Sequence, residues 1–119
     1  MMNTREYIIL YQYSERLKSE LLIGFKLLTS MSGLDGEALR GAERITSAYF
    51  EALLADIRIA QNTIKTAQFE KAEEKIMEGL GRLKLYEFAD MNRCIAEAVS
   101  AITTSCQLSM EALEKADLL

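Results

Sequence analysis

The sequence contains no histidine, no proline and no tryptophan. Without histidine it cannot build a Ser-His-Asp or Cys-His nucleophile, or the carboxylate and histidine ligand set of di-iron helical bundles. A phosphate-binding loop is also missing, because Gly79-Leu-Gly81 lacks a third glycine and follows a predicted helix, whereas the dinucleotide motif follows a strand. We therefore expect no catalytic residue, no metal site and no cofactor.

Positive charge and long apolar runs are also scarce. The formal net charge is −4, and the Lys and Arg residues between 71 and 84 are interleaved with Glu. Such a chain is a poor ligand for the phosphates of nucleic acid or for an anionic membrane surface. The longest apolar run, residues 7–11, is far below the roughly 20 residues that span a bilayer. No signal-peptide pattern is present, and we expect a cytoplasmic protein without nucleic-acid or membrane partners.

Cysteine is limited to Cys94 and Cys106. Both fall on one predicted helix, where their spacing places them roughly 18 Å apart along the axis. A disulfide between them is excluded while that helix is intact. We interpret both as small buried side chains in the reduced state.

Helix-forming residues dominate what remains. Half of the 119 residues are hydrophobic, which suits a single domain over residues 1–119. No segment alternates polar and apolar residues as a half-buried strand does. With few helix breakers available, the composition predicts an all-α fold.

The spacing of apolar residues and turn signals predicts four helices. Asn3 or Thr4 caps the first, a loop at residues 31–36 ends it, and the second covers residues 37–66. The third is short, with about 16 residues beginning near Phe69, and a turn within residues 84–90 precedes the fourth at residues 91–116. This order predicts an antiparallel up-and-down four-helix bundle with a short third helix and a groove where that helix leaves a wall missing.

Helical spacing also predicts the core. On the first helix the inward residues are Tyr7, Leu10, Ser14, Leu17, Leu21, Leu28 and Met31, and on the second they are Ala42, Ile45, Tyr49, Leu53, Ile57, Ala60, Ile64 and Ala67. Ser47 is predicted to face outward. Asp56 lies beside the core stripe, where its carboxylate is expected to be either solvated or paired with a neighbouring cation. The middle of the fourth helix consists of the small residues Ala, Ser, Thr and Cys, which let a neighbouring backbone approach closely.

The outer side of the first helix carries more apolar residues than a solvated face needs. Ile8, Ile9, Leu22 and Ile23 interrupt its polar stripe. A helix that is apolar almost all round is normally buried on both sides. Either these residues lie beneath the other helices on a broad core face, or they form an interface with a second copy of the chain or with a helical protein partner.

Two functions follow from these alternatives. The first is a non-catalytic protein–protein interaction module, such as an adaptor, a small chaperone or an oligomeric scaffold, that uses the apolar outer face. The second is a small-molecule-binding protein or an enzyme that works in the bundle core through carboxylates and tyrosines. The candidate tyrosines are Tyr7, Tyr11, Tyr13, Tyr49 and Tyr86.

Overall fold

The computed structural model describes residues 2–119, which form four helices. They are α1 (Thr4–Ser30), α2 (Gly36–Thr63), α3 (Ala67–Lys84) and α4 (Phe88–Lys115). Each helix packs against two others, in the ring order α1, α2, α3, α4, and α4 makes the most extensive contacts. The short connections make sequential helices antiparallel, so the predicted all-α up-and-down bundle is confirmed.

Local side-chain contacts fix the start of α1 and the first turn. Asn3 and Glu6 form a capping box in which each side chain accepts a hydrogen bond from the other's backbone N–H, at 2.9 and 3.0 Å. Gly33 and Gly36 take φ values of +87° and +55° in the following loop. A side chain at these positions would be strained, which explains why the loop predicted at residues 31–36 forms there.

The end of α2 differs from the prediction, because the helix stops at Thr63 and not at Thr66. Ile64 is extended, with φ −147°, and Thr66 begins the next helix as its N-cap. The Thr66 hydroxyl accepts a hydrogen bond from the Phe69 backbone N–H at 3.2 Å. A threonine hydroxyl stabilises a helix by accepting a hydrogen bond from a free N–H of its first turn, and threonine is therefore favoured at an N-cap over a helix interior.

The third helix has 18 residues, slightly more than predicted, against 27 or 28 in the other three. It continues through Gly79 and Gly81 without a break. Gly79 is needed for packing, because a Cβ there would lie 2.7 Å from the Met91 sulfur. Tyr86, with φ +60°, makes the turn to α4, which begins three residues before the predicted start.

The core lies along the axis and includes a polar pair at its centre. The Ser14 and Ser105 hydroxyls are 2.7 Å apart, with both residues buried. This close contact between α1 and α4 agrees with the close approach predicted from the small side chains in the middle of α4. All the inward residues predicted on α1 are buried except Tyr7, which is partly buried against the core.

The N-terminal half of α2 is rotated relative to the prediction. Ile45 is 70% exposed, whereas Ser47 and Phe50 are buried. Phe50 turns inward because Gly24 of α1 leaves room for its ring: a Cβ on Gly24 would lie 2.6 Å from the ring edge. Ala67, predicted inward on α2, is instead the exposed first residue of α3.

Within residues 2–119, no helix is both long enough and apolar enough to cross a membrane.

Candidate functional site

The outer face of α1 contains three of the four residues predicted to form an interface. Ile8, Leu22 and Ile23 are 38%, 49% and 51% exposed. Ile9 is partly buried and packs against the core, so it does not belong to the exposed face. The structure contains one chain, and the interface itself stays a prediction.

Two of the exposed residues belong to a longer row on α1 that sequence reasoning missed. The row advances by alternating steps of four and three residues, the spacing that keeps side chains on one stripe of a helix. We call it the outer seam, and it consists of Thr4, Ile8, Tyr11, Glu15, Lys18, Leu22, Phe25 and Thr29. Phe25 is 43% exposed, and Tyr11 is partly buried. The same spacing in the sequence would have found both.

The middle of the outer seam is charged. Lys18 Nζ lies 3.4 Å from a Glu15 carboxylate oxygen, and each side chain is about a third exposed. An exposed pair three residues apart on one helix contributes little stability on its own. The same two groups lie beside α4, where burial raises the pKa of Cys106, the Glu15 charge raises it further and the Lys18 charge lowers it.

Charged and phenolic groups also meet between α1 and α2. Arg16 donates two hydrogen bonds of 3.0 Å to the two Asp56 carboxylate oxygens, and its Nε lies 3.2 Å from Glu20. The Tyr49 hydroxyl donates to the Glu20 backbone carbonyl at 2.6 Å. Of the two surroundings expected for Asp56, solvent or a neighbouring cation, the structure shows the ion pair with Arg16. A cavity of about 200 Å³ is lined by Glu20, Tyr49 and Asp56 together with Ala52 and Leu53.

This cluster places two carboxyl groups near one cation. Burial raises the pKa of Glu20, and the neighbouring Asp56 charge raises it further. Glu20 Oε2 is the one buried side-chain polar atom in residues 2–119 without a hydrogen-bond partner, which suits a carboxyl that binds a proton readily. Burial also raises the pKa of Tyr49, so its phenol is protonated at neutral pH and is not a base. The Glu20 carboxyl of this cluster therefore keeps its proton to a higher pH than a free glutamate side chain does.

A cavity of about 420 Å³ lies at the α1–α2 loop end of the bundle. Its lining includes Leu28, Met31, Leu39 and Phe88, and no residue of α3 contributes to it. The lining contains no tyrosine and no charged side chain. This cavity and the carboxylate–tyrosine cluster share no residue.

Both cysteine thiols lie in the bundle interior. Burial raises the pKa of Cys94 and of Cys106 to about 11. Cys94 also donates a hydrogen bond to Glu78 at 3.2 Å, which favours its protonated form. Because the thiolate is the reactive species, these side chains behave as packing residues, as the sequence predicts.

Across residues 2–119, no three His, Cys, Asp or Glu side chains lie close enough together to hold a metal ion. The fold and these sites define the chain as a four-helix bundle with an apolar seam on one outer helix face. Comparison with models of known protein families, with curated proteins and with solved structures gave no significant match.

Proposed function

We propose that this chain is a non-catalytic protein–protein interaction module, an oligomeric scaffold or adaptor whose α1 outer face binds a helix of another protein molecule. The observation that supports it is the exposure of Ile8, Leu22, Ile23 and Phe25 on a helix whose opposite face is already buried in the core. A helix laid along such a row would remove these side chains from water, at roughly 25 cal/mol per Å² of apolar surface.

The alternative is a small-molecule-binding protein or an enzyme that works in the bundle core, and it has weaker support. Its chemistry lies at Glu20, Tyr49 and Asp56, where the cavity of about 200 Å³ is smaller than the roughly 300–1,000 Å³ of ligand pockets. The larger cavity lacks carboxylates and tyrosines. A third cavity, of about 340 Å³, is lined by Tyr13 and Arg16 but by no carboxylate.

The test compares two pairs of substitutions. Ile8→Glu with Leu22→Glu places charge on the α1 outer face, and Ile45→Glu with Ile59→Glu does so at two exposed isoleucines of α2. We expect the α1 pair to abolish association and the α2 pair to leave it unchanged, with helicity retained in both. Sedimentation measures self-association, and capture from an extract of the source cells measures binding to other proteins.

Two results would overturn the proposal. One is a wild-type chain that is monomeric and that captures the same proteins as the α1 pair does. The other is loss of helicity in the α1 pair, because it would place Ile8 and Leu22 in the monomer core.

A further inference from the structure

The outer seam has the same chemical order from either end. From the N-terminal end it gives threonine, two apolar or aromatic residues and a charge; from the C-terminal end it does the same. The charges that meet in the middle, Glu15 and Lys18, have opposite sign. A row of this kind is complementary to a reversed copy of itself.

We propose that the outer seam binds the outer seam of a second copy, antiparallel, about a two-fold axis that passes between Glu15 and Lys18. This inference rests on the proposed function and names its partner. In such a symmetric interface each contact occurs twice, once in each direction. The pairs are Thr4 with Thr29, Ile8 with Phe25, Tyr11 with Leu22, and Glu15 with Lys18.

Charge selects this alignment over the others. A parallel alignment would place Glu15 against Glu15 and Lys18 against Lys18, and like charges in contact oppose association. Sliding the antiparallel helices by seven residues would place Glu15 opposite an aromatic ring and Lys18 opposite an aliphatic side chain. The Glu15–Lys18 pair of each helix would then be desolvated without any charge from the second copy. Only the symmetric alignment pairs apolar with apolar and Glu with Lys along the whole row.

The partner is a second copy because the outer seam is itself the complementary surface. Three apolar residues of the outer seam are 38–49% exposed, namely Ile8, Phe25 and Leu22. A partner can therefore bury them without rearranging the core. Each Glu15–Lys18 pair is also about a third exposed. On dimerisation, two such pairs form a cluster of four alternating charges at the centre of the interface.

Charge substitution gives the sharpest test. Glu15→Lys places Lys against Lys across the axis, and Lys18→Glu places Glu against Glu, so each single variant repels its own copy. We expect the dimer dissociation constant of either variant to rise about tenfold or more. An equimolar mixture should form a heterodimer close to wild-type affinity, because each new Lys then faces a Glu. Sedimentation equilibrium measures all four samples.

Mixing separates this account from a structural role within one helix. Each variant loses its own Glu15–Lys18 pair whether or not it is mixed, so a purely internal effect would persist in the mixture. A mixture that associates no more tightly than the single variants would overturn the proposed register, as would single variants that dimerise like the wild type.

Cross-linking checks the direction of the helices. Tyr11→Cys and Leu22→Cys lie opposite each other across the proposed dimer but roughly 16 Å apart along one helix. Under mild oxidation we expect a disulfide-linked dimer from the mixture of the two variants and none from either alone. Leu22→Cys chains that cross-link with each other would indicate parallel helices and contradict the proposal. Cys94 and Cys106 are buried and do not compete.

The outcomes also distinguish this inference from the proposed function. A monomeric wild type that still binds another protein through Ile8 and Leu22 overturns the dimer and leaves the interaction module standing. If the dimer is lost in the variant with Ile8→Glu and Leu22→Glu but is unaffected by charge substitutions at Glu15 and Lys18, only the proposed register of the two helices is overturned.

Discussion

The two faces of α1 follow the same spacing rule but have different surroundings. The inner face has Leu17 and Leu21 at 1% and 0% exposure, whereas Leu22, one residue later, is 49% exposed. Each face has a polar pair at its middle: Ser14 with Ser105 of α4 on the inner face, and Glu15 with Lys18 on the outer seam. The inner pair already has its partner helix. The difference indicates that the spacing of apolar residues allows α1 to pack against other helices on two sides. Only the inner side is buried by the other three helices of the chain.

The largest expected contrast is between adjacent leucines. Leu21→Ala should reduce the free energy of unfolding by about 2–5 kcal/mol, because it leaves a cavity in a closed core. Leu22→Ala should cost about 1 kcal/mol or less in dilute solution, since its side chain is half exposed. Chemical denaturation at low protein concentration measures both. Equal losses would remove the distinction between the two faces.

Glycines on and off the inner face provide the next contrast. Gly24→Ala would force a methyl group to 2.6 Å from the Phe50 ring, and we expect a loss of about 1–3 kcal/mol in the free energy of unfolding. Gly41→Ala has no atom within 4 Å and should stabilise α2 by up to about 1 kcal/mol, through helix propensity. Thermal unfolding of both variants tests the sign, and a stabilised Gly24→Ala would show that α1 and α2 are less closely packed there.

The inner polar pair should behave as a unit. Ser14→Ala leaves the Ser105 hydroxyl buried without this partner, which should cost about 1 kcal/mol or more. Adding Ser105→Ala removes the unsatisfied group, so the double variant should lose less than the sum of the single variants. Additive losses in a double-mutant cycle would contradict a direct hydroxyl–hydroxyl bond.

The smallest effect concerns Glu20, at the flank between α1 and α2. Because burial and Asp56 raise its pKa above the ordinary glutamate value of 4.5, the folded protein binds the proton more tightly than the unfolded chain. That stabilisation is complete below about pH 4.5 and is lost as the pH rises through the folded pKa. Glu20→Gln cannot titrate, so its melting temperature relative to wild type should improve from pH 4 to pH 7, by a few degrees at most. A constant difference at both pH values would contradict the raised pKa.

The sequence predicted the parts of the fold that local chemistry decides. The number and order of helices followed from apolar spacing and from Gly33 and Gly36, and the inner face of α1 followed from its leucines. The rotation of α2 did not, because Phe50 is buried and Ile45 exposed through a space that Gly24 opens on a different helix. That contact is tertiary, and no pattern within residues 36–63 reveals it.

The candidate sites were predicted in part. Ile8, Leu22 and Ile23 stand out in the sequence as apolar residues that interrupt a polar stripe, whereas the reversed order around Glu15 and Lys18 does not show in that stripe. The meeting of Glu20 with Asp56 was missed for another reason. The two residues are far apart in the sequence, and only the packing of α1 on α2 brings them together.

The exposure of Leu22 to solvent at different protein concentrations tests the central claim most directly. We would label Leu22→Cys and, as the control, Ile59→Cys with a thiol reagent, since the two native thiols are buried. The account predicts that labelling at position 22 slows as the protein concentration rises, while labelling at position 59 stays constant. Equal labelling at both positions, independent of concentration, would show that the outer face of α1 faces only water.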